Sequence, residues 1–389
     1  MKTIYLDNNA TTAVDPVVLE TMLPFLSEFY GNPSSMHHFG GQVGKHVTKA
    51  REQVAACLNA LPEEITFTSC GTESDSTAIL AALEAQPAKH HVITTKVEHS
   101  AIIALGQHLE RKGYDVTYLD VDEKGQLTAD QVEAAIRPDT AIISIMYANN
   151  ETGTIFPIAE IGHVARKHNI PFHVDAVQAV GKIAIDTKTL PVDYIALSGH
   201  KLHAPKGVGA LYVRHGAPFR PLLRGGHQER GRRAGTENVA SIIALGKACE
   251  LASQHMAAEN TVVRALRDKL ESGLLAAIPD CKINGDIANR LPNTLNIAFK
   301  YIEGESILLM LDQHGICASS GSACTSGSLE PSHVLMAMGV PFSYAHGSIR
   351  FSLSRFTTED DINTVLHHLP IIIQRLRDMS PFRHGAEME

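Results

Sequence analysis

Short apolar runs alternate with amphipathic stretches along most of this chain. Ile65–Thr68, His91–Thr95, Val116–Leu119, Ala141–Met146, Pro171–Val174, Tyr194–Ser198 and Ala210–Val213 are rich in Ile, Val, Thr and Phe and read as buried strands. Between the earlier ones, Ser74–Glu84, Ala101–Lys112, Ala129–Ile136 and Ile158–His168 carry apolar residues at helical spacing. Gln42–Leu58 reads as a further helix before the first of these strands. The alternation predicts an α/β chain with a mainly parallel sheet covered on both faces. Ligands of such sheets sit at the carboxyl ends of the strands. Two long helical patterns follow, Asn238–Ala252 and Thr261–Ala277. The pattern then changes to Thr294–Phe299 (strand), Glu305–His314 (helix), Ser348–Leu353 (strand) and Thr358–Leu376 (helix). The change near residue 260 predicts a large domain over 15–258 and a smaller α/β domain built from 1–14 with 259–389.

Composition narrows the function classes. The 389 residues are 44% hydrophobic, enough for large cores. The formal net charge of −8 argues against nucleic-acid or anionic-membrane binding by bulk charge. The N-terminus has no signal-peptide pattern, and no apolar run approaches the roughly 20 residues of a membrane helix. Six cysteines, at 57, 70, 249, 281, 317 and 324, form no C-x-x-C pair. They point to a reduced, cytoplasmic setting without a disulfide framework, five of them as ordinary small core residues. The 21 histidines show no metal-binding spacing.

Polar clusters follow the strands, and each has a chemistry. Ser198-Gly199-His200-Lys201 puts an amine where a carbonyl compound can condense with it, as for a Schiff-base lysine. Ser69-Cys70-Gly71-Thr72-Glu73-Ser74 opens a helix with a glycine and hydroxyls, a cradle for an anion, in which Thr72 can cap the helix. Asp175 directly ends a strand and can pair with a ring nitrogen, and Gln178 lies one turn on. His99 can stack on a ring and move protons. Asn149 and Asn150 are adaptable hydrogen-bond groups. Arg350, inside an apolar strand, wants an anionic partner. Cys324 sits in the run Ser319-Ser320-Gly321-Ser322-Ala323-Cys324-Thr325-Ser326-Gly327-Ser328, whose lack of apolar anchors predicts an exposed, mobile loop carrying a reactive thiol. Singly, each has a plainer reading as a solvated lysine, a helix cap, a turn or a structural ion pair. Together they call for pyridoxal phosphate chemistry on an amino acid whose side chain is attacked by a cysteine.

Leu6-Asp7-Asn8-Asn9-Ala10-Thr11-Thr12, Gly31-Asn32-Pro33-Ser34-Ser35, Gly71-Thr72-Glu73-Ser74, Val97-Glu98-His99, Asn149-Asn150-Glu151, Asp175-Ala176-Val177-Gln178, Ser198-Gly199-His200-Lys201, Arg233-Ala234-Gly235-Thr236-Glu237-Asn238 and the Cys324 run resemble, in the same order, the cysteine desulfurases of the NifS/IscS family. Two segments, Ala345-His346-Gly347-Ser348 and Leu353-Ser354-Arg355-Phe356, lean toward the NifS branch. The resemblance implies the fold-type I architecture of pyridoxal-phosphate enzymes, a large domain with a mainly parallel seven-stranded sheet plus a smaller α/β domain. It implies a homodimer that turns L-cysteine into alanine and a persulfide, which passes to an iron–sulfur scaffold protein, here with nitrogenase maturation as the expected destination.

Carried over residue by residue, Lys201 bonds the cofactor, Asp175 pairs with the pyridine nitrogen and Gln178 with the ring oxygen. His99 stacks on the ring. Gly71, Thr72, Ser198 and His200 hold the phosphate, with Thr236 reaching in from the partner subunit. Asn150, also a cofactor contact, and Arg350 grip the substrate carboxylate. Cys324 is the sulfur acceptor and a candidate transient ligand of an iron–sulfur cluster. Rival readings are a general IscS-type desulfurase, a selenocysteine lyase of the same fold, and a non-catalytic sulfur or cluster carrier.

Overall fold

A computed structural model describes residues 2–320 and 331–380. Thirteen strands are present among them: β1 Ile4–Tyr5, β2 Ile65–Thr68, β3 His91–Thr95, β4 Asp115–Leu119, β5 Thr140–Ser144, β6 Phe172–Asp175, β7 Tyr194–Ser198, β8 Gly209–Val213, β9 Cys281–Ile283, β10 Thr294–Phe299, β11 Ile316–Cys317, β12 Ser319–Ser320 and β13 Ser348–Ser352. Seven form one sheet in the order β2-β8-β7-β6-β5-β3-β4. The pairs among β7, β6, β5, β3 and β4 are parallel, and β8 runs antiparallel to both its neighbours. This is the mainly parallel sheet expected from the βα alternation, with the seven strands that the resemblance implies.

Strands β5, β6 and β7 are buried at every residue because helices cover both faces. Helix Gly71–Ala85 packs over β6, β7 and β8, which explains the small residues Ala78, Ala81 and Ala82 on its buried side. Its buried polar residues, Ser74 and Asp75, lie at the end nearest the carboxyl edge of the sheet.

A second sheet, in the order β12-β13-β10-β9, is antiparallel. Its core joins Leu295, Ile297, Phe351 and helix Glu359–Met379 to Ile4 and Leu6 at the start of the chain. Strand β1 reaches this region by pairing in parallel with β11. Val334, Leu335 and Met338, by contrast, pack into the core of the large sheet. The two long helical patterns are one run in space. Val239–Ala258 and Arg264–Ala277 are joined by a π-helical turn, Glu259–Val263. Such turns often mark functional junctions within helices.

Element boundaries shift where capping overrides periodicity. Helix His38–Cys57 starts ahead of the apolar pattern because the His37 imidazole accepts the Gly40 N–H and caps it. Helix Gly71–Ala85 is capped not by Thr72 but by Cys70, whose thiol accepts the Glu73 N–H at 3.4 Å. Of the five described cysteines Cys249 is a buried core residue and Cys57 and Cys281 pack, half-buried, against the two cores, while Cys70 and Cys317 are half-buried outside them.

Candidate active site

The carboxyl ends of five strands converge with the N-terminal segment. Strand β2 leads into Gly71, β3 into His99, β5 toward Asn150, β6 ends on Asp175, and β7 runs into the short turn Gly199–Lys201. The N-terminal segment Asp7–Thr12 ties these ends together. Lys201 Nζ donates to the carbonyls of Asn9 and, at 2.6 Å, Ala10. Gln178 Nε2 donates to the Asn9 carbonyl at 3.0 Å. His200 Nδ1 lies 3.2 Å from the Thr11 hydroxyl. Arg350, brought in by β13, pairs with Asp7 at 2.8 Å and donates to the Asn150 carbonyl at 3.0 Å. Asn9 Nδ2 reaches that same carbonyl at 3.2 Å. The structure therefore brings Lys201, Gln178, His200, Asn150 and Arg350 to one corner.

Gly71, Ser198 and Asp175 lie beside it. A Cβ on Gly71 would stand 2.8 Å from Val177 Cγ2 and 3.5 Å from Ser198 Cβ, so a side chain at this helix start would have to displace Val177. The Ser198 hydroxyl is buried with no hydrogen-bond partner among the described residues, as are Gln178 Oε1 and Arg350 Nε. Asp175 Oδ1 accepts the Val177 N–H at 2.9 Å, a local turn contact that leaves its other oxygen for a second partner. His99 caps helix Ser100–Arg111 by accepting the Ala101 N–H, at a position open to solvent. Thr236 is exposed in this chain, three residues beyond Arg233, whose ion pair with Glu73 fastens its loop to the cradle helix. Cys324 falls outside the described residues. The flanking Ser319 lies opposite Arg350 in the β12–β13 pair.

Burial controls the charges. Desolvation lowers the Lys201 amine to about 7, helped by Arg350 and Lys182 and opposed by Asp7 and Asp175. Near neutral pH it is thus available as a nucleophile or base. Desolvation likewise raises the Asp175 carboxyl, against His99 and Lys201. A cation placed against Asp175 would restore its ionised form. His99 is lowered, first by desolvation and then by Lys201 and His333, with Asp175 opposing.

Several groups of the site were missed from sequence. Glu98, buried and raised to about 8 by desolvation, accepts the Met146 N–H and the Thr95 hydroxyl. Asp75 is buried behind Asp175 and raised by desolvation and by that neighbour. Its carboxyl lies 3.4 Å from His173 Nε2, and His173 is lowered to about 3 by burial alone, so a neutral imidazole faces a carboxyl whose protonated form burial favours. For Asp75 the one available signal was a charged residue among the apolar positions of a helix, and Glu98 lies in a turn, where periodicity offers none.

The histidines give a pH prediction. His173 stays neutral in the native state down to about 3, and His200 and His203 down to about 4, against 6.5 when unfolded. Between those values the unfolded chain binds more protons, so stability falls as pH falls through the window. Glu98 and Glu151, whose values are raised, act in the opposite sense. The histidine share is isolated by difference. His173→Asn should narrow its stability gap to the parent as pH drops from 6.5 toward about 4, read by urea unfolding. A gap independent of pH would contradict the assignment.

The donor set fits an aromatic phosphate ester bearing an aldehyde: a depressed lysine, a buried carboxyl for a ring nitrogen, an unpartnered hydroxyl and a side-chain-free helix start for a phosphate. Among the described residues no cluster of three metal-ligating side chains occurs, and no helix is long and apolar enough to cross a membrane.

Comparison with known proteins agrees with this chemistry. Residues 4–365 match the aminotransferase class-V family. A cysteine desulfurase of Nostoc sp. is 63% identical over 384 residues, 99% of this chain and 96% of that protein. The cysteine desulfurase NifS of Azotobacter vinelandii is 59% identical over 386 residues, again 99% and 96%. Among solved structures, a NifS-like protein superposes with a TM-score of 0.91 at 41% identity, covering 96% of this chain and all of the other.

Proposed function

Since the chain belongs to the aminotransferase class-V family and is a pyridoxal-phosphate-dependent cysteine desulfurase, we propose which of its residues carry the reaction and where the sulfur goes. The observation that carries the assignment is the convergence of Lys201, Gln178 and Arg350 on the Asp7–Thr12 segment, with Asp175 near enough to act on the Lys201 charge. Lys201 would hold the cofactor through Nζ. Asp175 would take its pyridine nitrogen, Gln178 its ring oxygen and Asn150 a further polar contact, while Gly71, Thr72, Ser198 and His200 would take its phosphate. His99 would stack on the ring. When bound, pyridoxal phosphate supplies an electron sink for charge developing at the substrate Cα.

The chain's own groups do the rest. Arg350 and Asn150 hold the carboxylate of L-cysteine and orient its Cα–H toward Lys201. Lys201 Nζ removes that proton, which its depressed pKa suits at neutral pH. The Cys324 thiolate attacks the substrate sulfur. An S–S bond forms, the Cβ–S bond breaks and its electron pair stays with the carbon skeleton. Protons returned through Lys201 and His99 complete L-alanine, leaving a persulfide on Cys324. Substrate and enzyme thiol in, alanine and enzyme persulfide out, the step balances without an external oxidant.

The small-domain segments 1–14 and 259–389 would bring Asp7, Arg350 and Cys324 to the large-domain residues 15–258. A homodimer fits the apolar side chains exposed near the N-terminus: Val17, Leu19, Leu23, Leu26 and Tyr30 are 45–70% exposed. It would also place Thr236 of each chain at the partner's phosphate. The persulfide goes to an iron–sulfur scaffold protein, and the NifS relative favours nitrogenase maturation over general cluster assembly. Cys324 would bridge a cluster only in passing, in a cytoplasmic setting.

Arg350→Ala tests the substrate end of this reading. The expected result is a KM for L-cysteine raised by about 10²-fold or more, as for a lost charge-assisted pair, with Cys324 alkylated at the parent rate. An unchanged KM would remove Arg350 from the substrate site.

A further inference from the structure

We propose that Glu151 and Ser332 are positioning residues for sulfur transfer, tying the described residues that follow Cys324 in the chain to the corner that holds the substrate carboxylate. The inference rests on the role proposed above for Cys324. Ser332 is the second described residue after the segment, and both it and Glu151 are buried. Its hydroxyl donates to Glu151 Oε2 at 2.5 Å while accepting the Val334 and Leu335 N–H groups at 3.1 and 3.4 Å. One hydroxyl thus both caps the turn His333–Ala337 and fastens it to Glu151. The next residue repeats the attachment, with His333 Nε2 3.0 Å from the Glu98 carbonyl, beside His99.

Glu151 is itself held from several sides. Its N–H donates to Asn149 Oδ1 at 2.9 Å, and its carbonyl accepts Asn296 Nδ2 at 3.2 Å. Asn149 is anchored in turn to the Val97 carbonyl at 3.0 Å. The residue between Asn149 and Glu151 is Asn150, whose carbonyl accepts from Arg350. At the other end of the segment Ser319 pairs with Arg350 and Ser320 with Ile349. Both ends of the Cys324 segment are therefore attached to the strand and turn that carry Arg350 and Asn150. A carboxylic acid is a costly way to fill a buried space unless its hydrogen bonds are used. Here desolvation raises Glu151 to about 7 while Ser332 and Arg350 oppose it. Misplacement of a reacting group by an ångström can cost on the order of 10²-fold in rate, so the precision of this attachment bears on thiol attack rather than on substrate binding.

The test uses the purified holoenzyme and three variants, Ser332→Ala, Glu151→Leu and Glu151→Gln. Single-turnover formation of the Cys324 persulfide is followed by mass spectrometry. Binding of L-alanine, read from the cofactor absorbance, reports the carboxylate site separately. Ser332→Ala and Glu151→Leu should slow persulfide formation about tenfold or more, with L-alanine affinity within about twofold of the parent. Glu151→Gln keeps an acceptor for the Ser332 hydroxyl and should recover most of the rate. The double variant Ser332→Ala/Glu151→Leu should be no slower than the slower single one, as for one shared interaction. A persulfide rate within about twofold of the parent in Ser332→Ala, or equal slowing by Glu151→Gln and Glu151→Leu, overturns the proposal. A parent enzyme that forms no persulfide on Cys324 overturns the reading on which it stands, so the two failures are distinguishable.

Discussion

Replacing Cys324 by alanine should cut alanine production from L-cysteine by roughly two to three orders of magnitude and abolish protein-bound persulfide. The size follows from tethering. A thiol carried on a short segment acts at an effective concentration in the mM range or above, and a well-placed one gains more. The variant has only free cysteine as a substitute nucleophile. The cofactor end of the site does not include Cys324, so the variant should keep its cofactor and its spectral response to L-cysteine. Alanine release at the parent rate would remove Cys324 from the reaction and favour a lyase reading of the same fold.

Lys201→Ala should be the more damaging change, lowering turnover by about 10⁴-fold or more. It removes the covalent hold on the cofactor and also the group that moves the Cα proton, and general acid–base catalysis alone contributes about 10²–10⁴-fold. A second readout does not depend on turnover. Borohydride reduction should fix the cofactor permanently to the parent chain at Lys201 and leave it dialysable from the variant. Retention of reduced cofactor by Lys201→Ala would move the attachment to another amine. Lys182 is the alternative to examine, since it too is buried and lowered to about 8 by desolvation.

Much of this arrangement is legible in the chain. Apolar runs such as Tyr194–Ser198 and Phe172–Asp175 read as strands because burial on both faces excludes polar residues from them, and the functional groups stand where the runs end. Buried charged residues were less legible. Asp75, Glu98 and Glu151 look like solvated positions in a linear pattern, because their burial is created by partners distant in sequence: Asp175 for Asp75, Met146 for Glu98, Ser332 for Glu151. Strands of two or three residues, such as β11, β12 and β9, carry too few positions for a period of two to register. Part of the work of Asp7–Thr12 is also hidden, because it acts through backbone carbonyls, as with Asn9 and Ala10 toward Lys201. A carbonyl has the same chemistry in every residue, so no side-chain pattern announces it.

The most direct measurement of the central claim follows the sulfur atom itself. The holoenzyme is given sub-stoichiometric L-cysteine labelled with a heavy sulfur isotope, quenched within one turnover and digested for peptide mass spectrometry, with free alanine quantified in the same sample. The account predicts labelled sulfur on the peptide containing Cys324, in an amount equal to the alanine formed. Alanine accompanied by labelled free sulfide, with Cys324 unmodified, would contradict it.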